Sequence, residues 1–262
     1  MRPWRIGSII AVVGVLALIS AQCVNQPGAP SGQTTSATPD LSGVWSRVGT
    51  APGPGAARSL NPTEAPSMTP WAAERFKAIR EGTGGPGDKG RDDLDPVITT
   101  CSPAGPTRLF GFPRPFEIVQ IPGRVLMLFE WDHWVRPIWM DGRGHPEDPD
   151  PSWMGHSIGR FDGDTLVVDT VGLNDKTWID SIGHPHTEAL HVVERYRRVE
   201  HEQLEVSFTF DDPKAYTKPW TATVVFGLKP DWEISEMVNC ENLDMFGDKF
   251  FATWHPGSKP KP

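Results

Sequence analysis

Residues Leu190–Val199 read LHVVERYRRV and Leu204–Phe210 read LEVSFTF, with only Glu200–Gln203 between them. In the second run Val206, Phe208 and Phe210 occupy alternate positions, separated by Ser207 and Thr209. That period of two is the mark of a β-strand with one apolar face. In the first run Leu190, Val192, Glu194 and Tyr196 share a face, so a carboxylate stands among apolar neighbours. The pattern recurs on both sides. Ala222, Val224, Phe226 and Leu228 share a face within Thr221–Leu228, as do Trp232, Ile234 and Val238 within Trp232–Cys240. Upstream, Phe116–Gln120 and Arg124–His133 flank Pro122-Gly123, a pair suited to a type II turn. Val135–Met140 ends at Asp141-Gly142, and His156–Phe161 and Asp164–Thr170 flank Asp162-Gly163, a strong hairpin signal. About nine consecutive strands with short connections make an antiparallel meander. The expected fold is mainly β, an antiparallel up-and-down β-barrel, with a β-sandwich as the alternative.

The barrel is assigned to residues 116–245, followed by a C-terminal tail over 246–262. Before it, residues 41–115 are loop-rich. Gly43-Val44-Trp45 reads as a short strand, and Thr69-Pro70-Trp71 opens a helix with Thr as N-cap and Pro in the first turn. Trp71, Phe76 and Ile79 form its apolar stripe, Gly82 ends it, and the helix is expected to pack on the barrel.

Earlier still, Arg2 and Arg5 precede the apolar run Ile6–Ile19, which closes with Ser20 and Ala21. That order describes an export signal peptide over residues 1–21. The run falls short of the roughly 20 residues a spanning helix needs. Residues 22–40 are a Pro/Gly/Ser/Thr-rich flexible linker. Cys23 lies where a bacterial lipoprotein carries its acylated cysteine, although Gln22 and Ser20 fit that cleavage site poorly and cleavage after Ala21 is the plainer reading. The protein is therefore expected in the periplasm or outside the cell, and in the acylated case tethered to a membrane through its N-terminus. Setting Cys23 aside leaves Cys101 and Cys240 as an even pair in an oxidising compartment. A bridge between them would contribute about 4 kcal/mol on the chain-entropy model.

Composition narrows the function. The 262 residues carry a formal net charge of −8, against the basic surface that tracks nucleic-acid phosphates. Gly and Pro number 26 and 27, about a fifth of the chain, so turns and loops are abundant. Eleven Trp beside two Tyr supply large apolar faces for a core or a pocket.

Leu41-Ser42-Gly43-Val44-Trp45 before a β-meander resembles the Gly-x-Trp opening of lipocalin-like proteins. More specifically, PRPFEIVQ (Pro113–Gln120), WMGHSIGRFDGDTLVVDT (Trp153–Thr170), GHPHTEALHVVERYRR (Gly183–Arg198) and DDPKAYTKPW (Asp211–Trp220) resemble a large group of exported bacterial proteins. The resemblance covers about Leu41 to Asn242. It implies one domain and carries no reaction with it.

Chemistry is expected in two clusters. Asn174–Arg195 holds Asp175, Asp180, His184, His186, Glu188, His191 and Glu194. His184 and His186, two apart on an extended segment, point the same way and with His191 could ligate one divalent metal. The cupin spacing fails, because Glu188 follows His186 too closely, and the other reading is a hydrogen-bonded loop stiffened by Pro185. The second cluster is Glu130-Trp131-Asp132-His133-Trp134-Val135-Arg136. Strand geometry would put Glu130, Asp132, Trp134 and Arg136 on one face, with Trp131 and His133 opposite. An acid–base role competes there with a structural Asp–Arg pair.

Glu194 and Glu236 both fall on apolar faces, where an isolated charge is too costly, so a polar spot inside the barrel is expected. Ion pairs with Arg195 or Arg197 would need a break in strand phase. Acid–base chemistry is thus assigned to Asp132, His133, Glu194 and Glu236. Ligand contact is assigned to Trp131, Trp134, Arg136, His156, Trp178, Tyr196 and Trp220. No nucleophile elbow, P-loop or dinucleotide fingerprint is present. The expected function is a small-molecule binder whose aromatic-lined barrel cavity holds an apolar or aromatic ligand. The alternative is a hydrolase, lyase or isomerase in the same cavity, metal-assisted if the histidines ligate.

Overall fold

The strand alternation is realised as a closed wall. The computed structural model describes residues 38–48, 60, 62–81, 95–99 and 101–237, all within the compact unit Ala37–Pro262. Strand β8 (Gln203–Asp211) buries Leu204, Val206, Phe208 and Phe210 on one face. It pairs with β7 (His191–Glu200), where Val192, Glu194 and Tyr196 face the same interior, and with β9 (Trp220–Leu228), where Trp220, Ala222, Val224 and Phe226 do. Continuing around the wall, β6 (Thr165–Val171) pairs with β5 (His156–Asp162) across the Asp162-Gly163 turn, and β3 (Arg124–Phe129) with β2 (Phe116–Ile121) across Pro122-Gly123. Gly123 and Gly163 have φ of 74° and 62°, which their turns require.

Closure comes from the first short strand. β1 (Gly43–Arg47) pairs antiparallel with both β2 and β9, so the order β1 to β9 forms a closed lipocalin-like barrel rather than a sandwich. One neighbour pair departs from the expected meander. β4 (Val135–Trp139) lies parallel to β5, joined at Trp139 and Ile158. A longer connection over 140–155 brings the chain back to start β5 in the same direction, as a parallel pair requires. The strands approach closely there: a Cβ on Gly159 would lie 2.6 Å from Met140 Sδ and 2.8 Å from Ile138 Cγ2.

The expected strand Trp232–Cys240 is corrected. Residues 232–237 form no strand, and β1 occupies the closing position against β9. Without strand phase, Glu236 is exposed rather than turned inward. The expected strand Arg124–His133 is also too long, since β3 ends at Phe129 and Trp131–His133 form a 3-10 turn.

The segment before β2 supplies more than a strand and a helix. Helix α1 (Pro70–Glu81) starts as expected, with Thr69 Oγ1 accepting from Ala72 N at 3.3 Å. Two short turns of helix follow, α2 (Pro96–Thr99) and α3 (Pro106–Leu109). Phe110, directly after α3, meets Phe116, Phe129, Tyr196, Phe208 and Phe226 at centroid distances of 5.1–6.1 Å. Those rings belong to five different strands, so Phe110 lies inside the barrel. No helix among the described residues is long and apolar enough to cross a membrane. The signal peptide, the linker up to residue 37, Cys23, Cys240 and the tail lie outside the described residues, whereas the linker's last residues Pro39 and Asp40 accept hydrogen bonds from Gln120 and Arg198.

Candidate functional site

Glu194 is fully buried on the inner face of β7, and its partner comes from β4. Arg136 reaches it through two guanidinium nitrogens: Nη1 donates to Oε1 at 2.9 Å, and Nη2 donates to Oε2. Arg136 Nη2 also donates to Thr170 Oγ1 at 2.9 Å, and its Nε to Ser157 Oγ at 3.2 Å. Tyr196 completes the network by donating its hydroxyl to Glu194 Oε1 at 3.0 Å. Burial works to depress the guanidinium, but the Glu194 charge, Tyr196 and the hydrogen bonds to both together outweigh it and hold Arg136 above its ordinary value. Burial, then Glu194, push the Tyr196 phenol well above its own. The network is a bidentate buried ion pair with its hydroxyl neighbours satisfied. Its acid is engaged, and Tyr196 packs against Phe110, which meets four further inward rings.

The second expected constellation is rearranged. Asp132 and His133 take φ of 51° and 53°, which breaks the strand phase that would have aligned Glu130, Asp132, Trp134 and Arg136. Glu130 accepts from Ser235 Oγ at 2.8 Å and lies 3.5 Å from Arg114 Nη1, away from Arg136's network. Asp132 and Trp134 are half-buried. His133 is exposed, and its Nε2 accepts from Met237 N at 2.9 Å. Trp131 stacks on Phe112 with centroids 3.7 Å apart. This turn anchors residues 235–237 to the barrel.

The three expected metal ligands do not converge. His184 Nδ1 bonds Asp180 Oδ2 at 2.7 Å, with the ring stacked on Phe76 of α1. His186 Nε2 bonds Thr177 Oγ1 at 3.0 Å, and burial lowers its pKa. His191 Nε2 bonds Asp169 Oδ1 at 2.8 Å. Strand β7 begins at His191, so its ring follows β7's outer face while the other two remain in the preceding loop. Among the described residues no three His, Cys, Asp or Glu side chains are grouped to hold a metal.

The loops before β7 and before β9, with α1, meet at one end of the barrel. Asp212 ties them: it accepts from Thr187 N at 2.6 Å, Thr187 Oγ1 at 3.0 Å, Lys214 N at 3.1 Å and Ala215 N at 3.2 Å. Thr69 Oγ1 donates to Lys214 O at 3.0 Å, which fixes the start of α1 to the same loop. Trp220 packs on Phe210 at 4.3 Å and beneath His184, and Trp178 bridges to Pro185. Trp178 and Trp220, two of the four tryptophans expected to contact ligand, are thus buried, and Trp220 borders a separate pocket of about 200 Å³ with Thr63, Glu64 and Lys218. At the same end lies a pocket of about 380 Å³ lined by Trp71, Asp175, Thr187, Glu188 and Lys214. Trp71 is 42% exposed, with the Arg75 guanidinium 5.5 Å from its ring centroid, and it shares the pocket with two carboxylates. Asp175 and Glu188 belong to the polar cluster legible in the sequence, whereas Trp71 reads there only as part of the helix stripe.

A separate cluster lies on the outer wall at the same end. His145 Nε2 bonds Asp169 Oδ1 at 3.0 Å, and His145 Nδ1 stands 2.9 Å from His156 Nδ1. The hydrogen bond from His191, more than that from His145, holds the Asp169 carboxyl low and raises His191. Burial, then the neighbouring His145 and Arg143, lower His156. The signal for Asp169 is an acid on the outer face of the apolar run LVVDT; His145, in a Pro-rich loop, carries none.

No protein-family model matches the chain, and no curated protein resembles it at a significant level. The geometry of the barrel end therefore carries the functional argument.

Proposed function

We propose that this protein is an exported small-molecule binder whose ligand docks at the closed end of the barrel, not in the hollow. The observation that carries this reading is the pocket of about 380 Å³ that the exposed indole of Trp71 shares with Asp175 and Glu188. Its size falls in the range of ligand sites. An indole beside carboxylates suits an aromatic or apolar molecule bearing a cationic group, held by stacking, cation–π attraction and charge. Lys214, tied through its backbone to Asp212, gives the pocket a donor at its rim. Catalysis in the hollow is less supported, because Glu194 is held by Arg136 and Tyr196.

The remainder of the reading rests on sequence: export through residues 1–21, membership in the group that shares the GHPHTEALHVVERYRR and DDPKAYTKPW motifs, and no nucleic-acid partner. Acylation of Cys23, with a membrane tether, belongs to the same proposal. Tryptamine and naphthalene, titrated against the full chain by tryptophan fluorescence and thermal shift, test the site. Tryptamine is expected to bind, and Trp71→Ala to weaken it about tenfold, the equivalent of about 1.4 kcal/mol. Unchanged binding in Trp71→Ala, or no binding of either probe, would overturn the assignment.

We also propose that Cys101 pairs with Cys240, tying the early loop to the segment beyond β9. Reduced and non-reduced peptide mapping should recover a linked Cys101–Cys240 peptide; alkylation of both as free thiols refutes the pair.

A further inference from the structure

On the outer wall, His156 opens β5, Asp169 projects from β6, and His145 comes from the connection between β4 and β5. We propose that His145 and His156 form a binding site for a cupric ion through their Nδ1 atoms, independent of the pocket at Trp71.

Three observations support it. The first is the tautomer of His145. A carboxylate only accepts, so His145 Nε2, 3.0 Å from Asp169 Oδ1, carries the proton and leaves Nδ1 a lone pair. A carboxylate behind a ligating imidazole is the usual outer support of a metal-bound histidine. The second is spacing: the two Nδ1 atoms are 2.9 Å apart. Two bonds of about 2.0–2.1 Å meeting at about a right angle span about 2.9 Å, the cis geometry of a tetragonal centre. The ring centroids are 5.1 Å apart, so the nitrogens face each other almost head-on in a hydrogen bond; its proton, on His156 Nδ1, shifts to Nε2 when an ion binds, and the rings turn to seat the ion.

Third is the surrounding charge. Arg143 bears on His156, but its guanidinium is paired with Asp141, Nε donating to Oδ1 at 2.8 Å. Asp169 places a carboxylate behind His145, shared with His191 at 2.8 Å. Both rings are half-buried, which leaves coordination positions for water. Two imidazoles and an open tetragonal plane favour copper(II) over the other first-row divalent ions.

The test is titration of the full chain, purified without a histidine tag and treated with chelator, with copper(II) chloride. Calorimetry and electron paramagnetic resonance are read together. One equivalent should bind with hyperfine coupling to two imidazole nitrogens. His145→Ala and His156→Ala should each weaken binding at least tenfold and remove one coupled nitrogen. Asp169→Asn should weaken it by roughly 10–100-fold, as loss of an outer-shell partner does. His201→Ala, in the exposed turn between β7 and β8, should leave it unchanged. Absence of a bound equivalent, coupling to fewer than two nitrogens, or binding that survives both histidine substitutions would overturn the proposal. Circular dichroism checks that each variant folds. Where one does not, the nitrogen count of the unmodified protein decides.

Discussion

Replacing Glu194 with leucine is expected to destabilise the protein by about 3–5 kcal/mol, because it leaves the Arg136 guanidinium buried without its counter-charge. Arg136 is 1% exposed and Glu194 is 0% exposed, so water cannot substitute for either. Arg136→Met alone strands the opposite charge and should cost a similar amount. The double variant Arg136→Met/Glu194→Leu removes both charges and should cost markedly less than the sum of the singles. It would still leave the hydroxyls of Tyr196, Ser157 and Thr170 with fewer partners, so a residual loss of about 1–3 kcal/mol remains. Urea unfolding of the four proteins reads this cycle, provided the slope with denaturant stays constant. Additive losses in the double variant, or a loss below about 1 kcal/mol for Glu194→Leu, would mean that the two groups do not act as a pair.

That pair shows how far the sequence could be read. Strand phase places Glu194 correctly on the inner face of β7, because Val192 and Tyr196 flank it at period two. Phase groups Arg136 with Glu130, Asp132 and Trp134 on one face but leaves open which way that face turns. What phase cannot supply is the neighbour across the barrel, which depends on the roll of the whole sheet. Arg195 and Arg197, adjacent in sequence, are outward and exposed, and the partner stands 58 positions away.

The two strand misreadings extended an alternating pattern beyond the strand itself. Asp132 and His133 adopt positive φ, so the even spacing of Glu130, Asp132, Trp134 and Arg136 no longer means a common face. Trp232, Ile234 and Val238 alternate convincingly, yet the closing position against β9 is held by β1, whose three clear letters were the weaker signal. The candidate pocket was legible in part, since Asp175 and Glu188 lie in a dense polar run. Trp71 could not be linked to them, because the contact joins residues about a hundred positions apart.

Phe110→Ala is expected to cost about 3–5 kcal/mol, the loss typical of a large aromatic deleted from a packed core. Phe110 is 1% exposed and touches inward rings from β2, β3, β7, β8 and β9, so no single strand can shift to fill the space it leaves. The space should therefore persist as an apolar cavity. Benzene is then expected to raise the melting temperature of Phe110→Ala and leave the unsubstituted protein unchanged, since a dry cavity of that lining takes up small apolar molecules. A loss below about 1 kcal/mol would show that the barrel collapses around the deletion, and stabilisation of both proteins by benzene would show that the interior is already open. The expected pattern makes the residues before β2 integral to the barrel. β1 closes the wall, Thr107 Oγ1 donates to Ile179 O at 3.0 Å to hold α3 beneath the loop before β7, and Phe110 fills the middle. With the protein's own ring in the middle of the barrel, the proposed recognition rests on Trp71 and the loops that Asp212 ties together.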